Sequence, residues 1–139
     1  YKLVCEVLSK YKIKAVLHFA GLKSVDESVS QPLEYYDNNV HGTFTLCKAM
    51  AKIGIFTLIF SSSATVYGNS VNVPITEDEI VCYTSNPYGR SKLVVEQILS
   101  DLFVSDKRWS IAILRYFNPV GAHESRYGKL QVNNNKFFK

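Results

Sequence analysis

At 139 residues the chain is long enough for one compact domain and no more. It is 47% hydrophobic and 20% charged, an ordinary globular composition, and no apolar run approaches the ~20 residues a membrane-spanning helix needs. The net charge of +4 is spread along the chain without a clustered patch or a nucleic-acid-binding motif, which argues against a DNA or RNA partner.

Cys5, Cys47 and Cys82 are odd in number, far apart and free of any CxxC pair. They favour neither a disulfide framework nor a metal site, and point to a reducing compartment, most simply the cytoplasm. The opening Tyr1-Lys2-Leu3-Val4-Cys5-Glu6 has no signal-peptide pattern. The chain starts at Tyr1 and its single methionine is Met50, so it reads as a fragment.

In chain order, the first eleven residues read as the tail of a helix. Ala15-Val16-Leu17-His18-Phe19-Ala20 is a nearly continuous apolar run, as are Thr57-Leu58-Ile59-Phe60 and Ile111-Ala112-Ile113-Leu114. Runs of this kind suit parallel strands buried on both faces. A helix is predicted from near Pro32 to Lys52, with Tyr36, Val40, Phe44, Cys47 and Ala51 on its apolar face and Gly54 as its C-terminal cap. Gly68 to Ser85 is a long loop of the kind that often carries function. Asn86-Pro87 then supplies an N-cap followed by proline at the first helical position. That helix continues through Leu93, Val94, Ile98 and Leu102. Gln131 to Lys139 is an Asn- and Lys-rich tail.

Alternation of helix and strand predicts an α/β fold built from βαβ units, with helices on both faces of the sheet. Ligands of open α/β sheets bind outside the carboxyl ends of the strands. Three polar clusters follow the three runs and converge on that edge. They are Gly21-Leu22-Lys23, the hydroxyl row Ser61-Ser62-Ser63-Ala64-Thr65, and Arg115-Tyr116-Phe117-Asn118.

The helix after Asn86 adds Tyr88 and Lys92, four apart and therefore on one face. A free tyrosine, with a pKa of ~10, is a poor base at neutral pH. A neighbouring ammonium favours its phenolate, which suits general-base catalysis on a hydroxyl. A serine hydroxyl opposite can hold the same oxygen. Y-x-x-x-K alone is weak, since many helices carry a surface Tyr and Lys by chance. Its place at a helix start, after a strand ending in serines, strengthens it.

These features together resemble the short-chain dehydrogenase/reductase family. The wording narrows the likeness. HFAGLK from His18, PLEYYDNN from Pro32, FSSSATVYG from Phe60, NPYGRSK from Asn86 and LRYFNPVGAH from Leu114 occur in that order. They resemble the UDP-glucose 4-epimerase branch of the extended members, from about Lys14 to His123.

The resemblance implies the central part of a Rossmann-like parallel sheet. Residues 1–125 would form a partial NAD-binding domain with the catalytic residues, and residues 126–139 a divergent tail. It implies interconversion of UDP-galactose and UDP-glucose through a 4-keto sugar, with NAD as cofactor, and pairing into a homodimer. Tyr88, Lys92 and Ser63 would be catalytic. Phe19, Ala20, Gly21, Leu22, Lys23, Asn38, Tyr88, Lys92, Tyr116 and Phe117 would contact NAD. Lys23, Ser63, Ala64, Thr65, Tyr88 and Asn118 would contact the UDP-sugar. His18, His41 and His123 are taken as structural, since the family chemistry needs no histidine.

Some positions depart from the family pattern. Arg90 replaces the usual Lys, Ser24 and Asp26 replace small residues, and the sequence after Ser125 diverges. The glycine-rich phosphate loop and the sugar-gripping C-terminal part are absent from these 139 residues. Two alternatives share the motifs. One is another NAD-dependent sugar-nucleotide epimerase or a 4,6-dehydratase, although dehydratases carry an acidic pair where this chain has Ala64-Thr65. The other is a non-catalytic NAD-binding or interaction module, although such chains tend to lose the Tyr or the Lys.

Overall fold

The computed structural model describes residues 1–68, 74–79, 81 and 83–119. Strands β1 (Ala15–His18), β2 (Thr57–Ser63) and β3 (Ser110–Tyr116) form a parallel sheet in the order β1-β2-β3. Helix α1 (Lys2–Lys10) precedes β1. Helices α2 (Val25–Ser30) and α3 (Pro32–Tyr35) follow it, and a π-helical turn, Tyr36–His41, leads directly into α4 (Gly42–Ile53). Helix α5 (Pro87–Ser105) joins β2 to β3. This is the α/β, Rossmann-like parallel sheet that the strand and helix alternation predicts. Among the described residues, however, α1, α4 and α5 all pack on the same face, so the expected helices on both faces are not seen.

Local chemistry sets the helix ends. Helix α4 stops at Gly54, which takes the left-handed conformation at φ 82°. The Ile55 N–H then returns to the Met50 carbonyl at 2.9 Å, closing the last turn. Helix α5 starts where the Asn86 side chain accepts the Gly89 N–H at 2.8 Å, with Pro87 at the first helical position. Helix α2 is absent from the sequence reading. Its start is the pair Ser24 and Glu27, whose N–H donates to the Ser24 hydroxyl at 3.4 Å, the spacing of a capping box.

The core lies between one face of the sheet and helices α1, α4 and α5. Leu58 and Phe60 of β2 pack with Leu8, Cys47, Met50, Val95 and Leu99. Burial of each such aliphatic or aromatic side chain contributes about 1.5–3 kcal/mol. Successive strand residues face opposite sides, and Leu17 and Leu114, on the other face, remain 59% and 41% exposed.

Three further expectations need correction. The strands predicted to end at Phe60 and Leu114 run on to Ser63 and Tyr116. Parallel pairing continues through Ser61 with Leu114, Ser62 with Arg115 and Ser63 with Tyr116. Backbone pairing does not require apolar side chains, so the serine row is strand rather than loop.

The second concerns the helix from Pro32. Its buried stripe is Tyr35, Asn39, Thr43, Cys47 and Met50, while Phe44 and Ala51 are exposed. The third concerns α5, which buries Tyr88, Ser91, Lys92, Val95, Glu96 and Leu99. Leu93, Val94, Ile98 and Leu102 are only partly buried. In both helices polar groups occupy the inner face because each finds partners there. Among the described residues, no helix is long and apolar enough to cross a membrane.

Candidate active site

Lys92 is the centre of the site. It lies on the inner face of α5 and is 5% exposed. Its ammonium donates to the Ser61 carbonyl oxygen at 2.9 Å and sits 4.9 Å from the centroid of the Phe60 ring. Burial pushes its pKa down from 10.5 to about 8. An ammonium has three N–H donors. One is spent on β2, and the others can serve a ligand.

Tyr88 lies one turn before Lys92 on the same face, packed edge-on against the buried Tyr35 ring at 6.5 Å between centroids. The next residue, Gly89, touches the segment that follows β2. A Cβ added there would meet the Thr65 carbonyl oxygen at 3.1 Å. The first turn of α5 is therefore seated directly on the residues after Ser63. The Ser63 hydroxyl accepts from the Thr65 N–H at 3.3 Å and from the Thr65 hydroxyl at 3.0 Å. With both acceptor positions used, its own O–H is the remaining group for a ligand oxygen.

The exit of β1 closes on the same centre. A Cβ added to Gly21 would lie 3.5 Å from the Lys92 ammonium and 3.1 Å from the Asn39 side-chain oxygen. Phe19, Ala20, Gly21 and Lys23 are exposed, Leu22 partly so. From β3, Tyr116 and Phe117 are 39% and 61% exposed, and Phe117 stacks on Tyr67 at 6.4 Å. Asn118 follows them, exposed. Ala64 and Thr65 open a short 3-10 turn, Ala64–Tyr67, whose N-cap is Ser63.

Asn39 is the residue that the sequence reading missed. It is 3% exposed. Its amide donates to the Leu22 carbonyl at 2.9 Å and to the Ser91 hydroxyl at 3.1 Å, and its oxygen accepts the Leu22 N–H at 2.8 Å. Ser91 in turn donates to the Tyr88 carbonyl at 2.7 Å. Asn39 thus ties the β1 exit to α5 between Tyr88 and Lys92. It sits in the π-helical turn, which breaks the 3.6-residue count; such turns occur often at functional sites. Its neighbour Asn38, the expected contact, is exposed.

Two histidines are held by protein groups. His18 shares a 2.8 Å hydrogen bond with the Thr43 hydroxyl, and its pKa is lowered by burial and then by the Lys92 charge. His41 pairs with Asp37 on the surface at 2.9 Å. His123 and the tail from 126 to 139 lie outside the described residues, as does Cys82.

Comparison with known proteins matches this arrangement. The description "NAD dependent epimerase/dehydratase family" fits residues 2–135. The UDP-glucose 4-epimerase of Bacillus subtilis is 58% identical over 122 residues, which cover 88% of this chain and 36% of that protein. The Neisseria gonorrhoeae UDP-glucose 4-epimerase is 53% identical over 120 residues, covering 86% of this chain and 36% of that protein. The crystal structure of Bifidobacterium longum UDP-glucose 4-epimerase in complex with NAD+ and UDP superposes with a TM-score of 0.87 at 56% identity. That match covers 89% of this chain and 37% of that one. The chain thus spans about a third of the length of the relatives it matches. With the matched region running through the parallel sheet, the serine-ended strand and the Tyr88/Lys92 helix, the chain belongs to the NAD dependent epimerase/dehydratase family.

Proposed function

We propose that this chain is the catalytic middle of an enzyme that interconverts UDP-galactose and UDP-glucose at the sugar C4. Convergence carries the reading: Lys92, buried and bonded to Ser61, lies one turn from Tyr88 and so close to Gly21 that a Cβ added there would be 3.5 Å from its ammonium. The alternation of small, bare backbone and exposed aromatics at this edge suits a dinucleotide. Gly21 leaves room beside the ammonium, and Phe19 and Phe117 offer apolar faces to a flat ring. Phe19 to Lys23, Asn38, Tyr116 and Phe117 would hold NAD. Bound there, it supplies reversible hydride acceptance.

The chain's own residues do the rest. Tyr88 takes the proton of the sugar 4-hydroxyl at its phenolic oxygen and later gives it back. Lys92 keeps positive charge beside that oxygen. Ser63 donates its O–H to the same substrate oxygen and holds it in place. Lys23, Ser63, Ala64, Thr65 and Asn118 would line the UDP-sugar. Residues 1–125 would belong to the NAD-binding domain, with 126–139 outside it.

Pairing of two copies and a cytoplasmic setting complete the reading. Leu33, Tyr36, Val40 and Phe44 face Val94 and Ile98 across an open groove of about 560 Å³ on the outer side of α4 and α5. Phe44 is 46% and Leu33 80% exposed, which suits a helix-to-helix contact with a second copy. Free Cys5 and buried free Cys47 fit a reducing compartment.

The test is to assay the full-length protein on UDP-galactose, UDP-N-acetylgalactosamine and a dTDP-hexose in parallel. Conversion of UDP-galactose to UDP-glucose is expected. Turnover of another sugar nucleotide alone, or of none, would replace this reading with one of its rivals.

A further inference from the structure

Glu96 is 5% exposed and lies four residues beyond Lys92 and eight beyond Tyr88, on the same face of α5. It accepts a hydrogen bond from the Ser62 hydroxyl of β2. It also accepts a two-pronged bond from Arg115 of β3, at 2.8 Å from Nη2 and 3.2 Å from Nε. Ser62 and Arg115 are register partners in the sheet, and the next pair along is Ser63 with Tyr116. The Arg115 guanidinium continues to the Tyr67 ring, 4.8 Å from its centroid, and Tyr67 stacks on Phe117.

A carboxylate in this place is poor for stability. Glu96 is buried while the Arg115 side chain stays 25% exposed. Taking a carboxylate out of water costs several kcal/mol, and well-packed apolar residues often replace such a pair with no loss. Its effect lies in geometry. Lys92 fixes α5 to Ser61, and Glu96 fixes it one turn later to Ser62 and Arg115. Two adjacent attachments on consecutive residues of β2 set both the rotation of the helix and its position along the strand. Apolar packing alone permits small slides.

We propose that Glu96 is a positioning residue. With Ser62 and Arg115 it holds α5 in the one setting that presents Tyr88 and Lys92 to the Ser63 end of β2, and through Arg115 it braces Tyr67 beneath Phe117. The proposal rests on the reading of Tyr88, Lys92 and Ser63 as the catalytic group.

The experiment compares the full-length protein with Glu96→Gln, Glu96→Asp and the double variant Glu96→Leu/Arg115→Leu. It records kcat and KM for UDP-galactose, thermal midpoint, and amide hydrogen exchange of residues 88–92. The double variant is expected to melt within a few degrees of the parent, or higher. Its kcat should nevertheless fall about 100-fold, the cost of a misplacement near 1 Å, with KM changed less than about threefold. Exchange at 88–92 should quicken. Glu96→Asp should recover part of kcat, and Glu96→Gln should lie between. A double variant with parental kcat and exchange overturns the proposal. So does a loss that appears only in KM. If the parent itself fails to turn over UDP-galactose, the functional reading fails instead, and the exchange comparison still decides the role of Glu96.

Discussion

Lys92 reaches from α5 to the Ser61 carbonyl oxygen, 2.9 Å away, so the charged group expected to act in catalysis also fastens its helix to the central strand. The arrangement has an energetic consequence that can be read from pH. Burial lowers the Lys92 pKa from 10.5 to about 8. Between those values the unfolded chain binds a proton that the folded chain does not, so stability rises with pH across that window. Below about 8 both states are protonated and the full cost of the buried charge is present. The shift corresponds to something on the order of 3 kcal/mol. Replacing Lys92 with Met removes this dependence. Denaturant unfolding at pH 7 and pH 10 should move the gap between parent and Lys92→Met towards the parent by up to that amount. Parallel stabilities at the two pH values would contradict the buried-cation account.

Tyr88 carries the proton in the proposed reaction, and its ring packs edge-on against Tyr35. Tyr88→Phe keeps that ring and removes one oxygen. Turnover of the full-length protein should fall by about 10²–10⁴-fold, the usual contribution of a general base. The melting midpoint and NAD affinity should be nearly unchanged. Near-parental turnover removes Tyr88 from the role of base.

The glycines separate space from flexibility. Gly89 has Thr65 and Thr84 within 3.1–3.4 Å of an added Cβ, and the nearest atom is backbone. Gly89→Ala must push α5 away from the residues after Ser63. It should lose about 1–3 kcal/mol of stability and most of the activity. Gly68→Ala should be worse, since φ is +61° and a Cβ would fall 2.2 Å from the Tyr83 carbonyl oxygen. Gly42 is the control. It lies at the start of α4 with its nearest neighbour 4.0 Å from an added Cβ. Gly42→Ala should raise stability by about 0.5–1 kcal/mol. Thermal melts of the three variants give the ranking directly.

The strands and the start of α5 were legible because their signals are local: apolar runs of strand length, then Asn86-Pro87. The inner faces of α4 and α5 were not. Periodicity picks out apolar stripes, and here Tyr36, Val40, Phe44, Val94 and Ile98 line the outer groove. The inner positions hold Asn39, Thr43, Lys92 and Glu96, whose burial depends on partners far away in sequence, such as Leu22, Ser61 and Arg115. A polar residue satisfied at long range looks like a surface residue when read locally. Tyr88 and Lys92 are legible from their four-residue spacing at the helix start, whereas Ser63 is singled out from the hydroxyl row only by the family resemblance. The capping pair Ser24 and Glu27 is a local signal of the same kind, and it marks the start of α2.

The last prediction concerns residues 1–139 expressed by themselves. Strands β1 and β3 end the sheet of the described residues on either side, and Leu17 and Leu114 on one face are 59% and 41% exposed. Phe19 and Phe117 are also about 60% exposed at the proposed cofactor edge. Unpaired strand edges next to exposed apolar side chains promote association. In the proposed reading, the described residues would meet a dinucleotide mainly through side chains at strand ends. A pyrophosphate is held best by a row of backbone N–H groups at a helix N-terminus. A domain whose total stability is ~5–15 kcal/mol tolerates little unburied core. The isolated chain should therefore self-associate in light scattering, show no saturable NAD binding by calorimetry up to millimolar concentration, and leave UDP-galactose unconverted in the presence of added NAD. A monodisperse chain that binds NAD tightly and turns over UDP-galactose would falsify this, and would assign the whole of the chemistry to the three strand ends and α5.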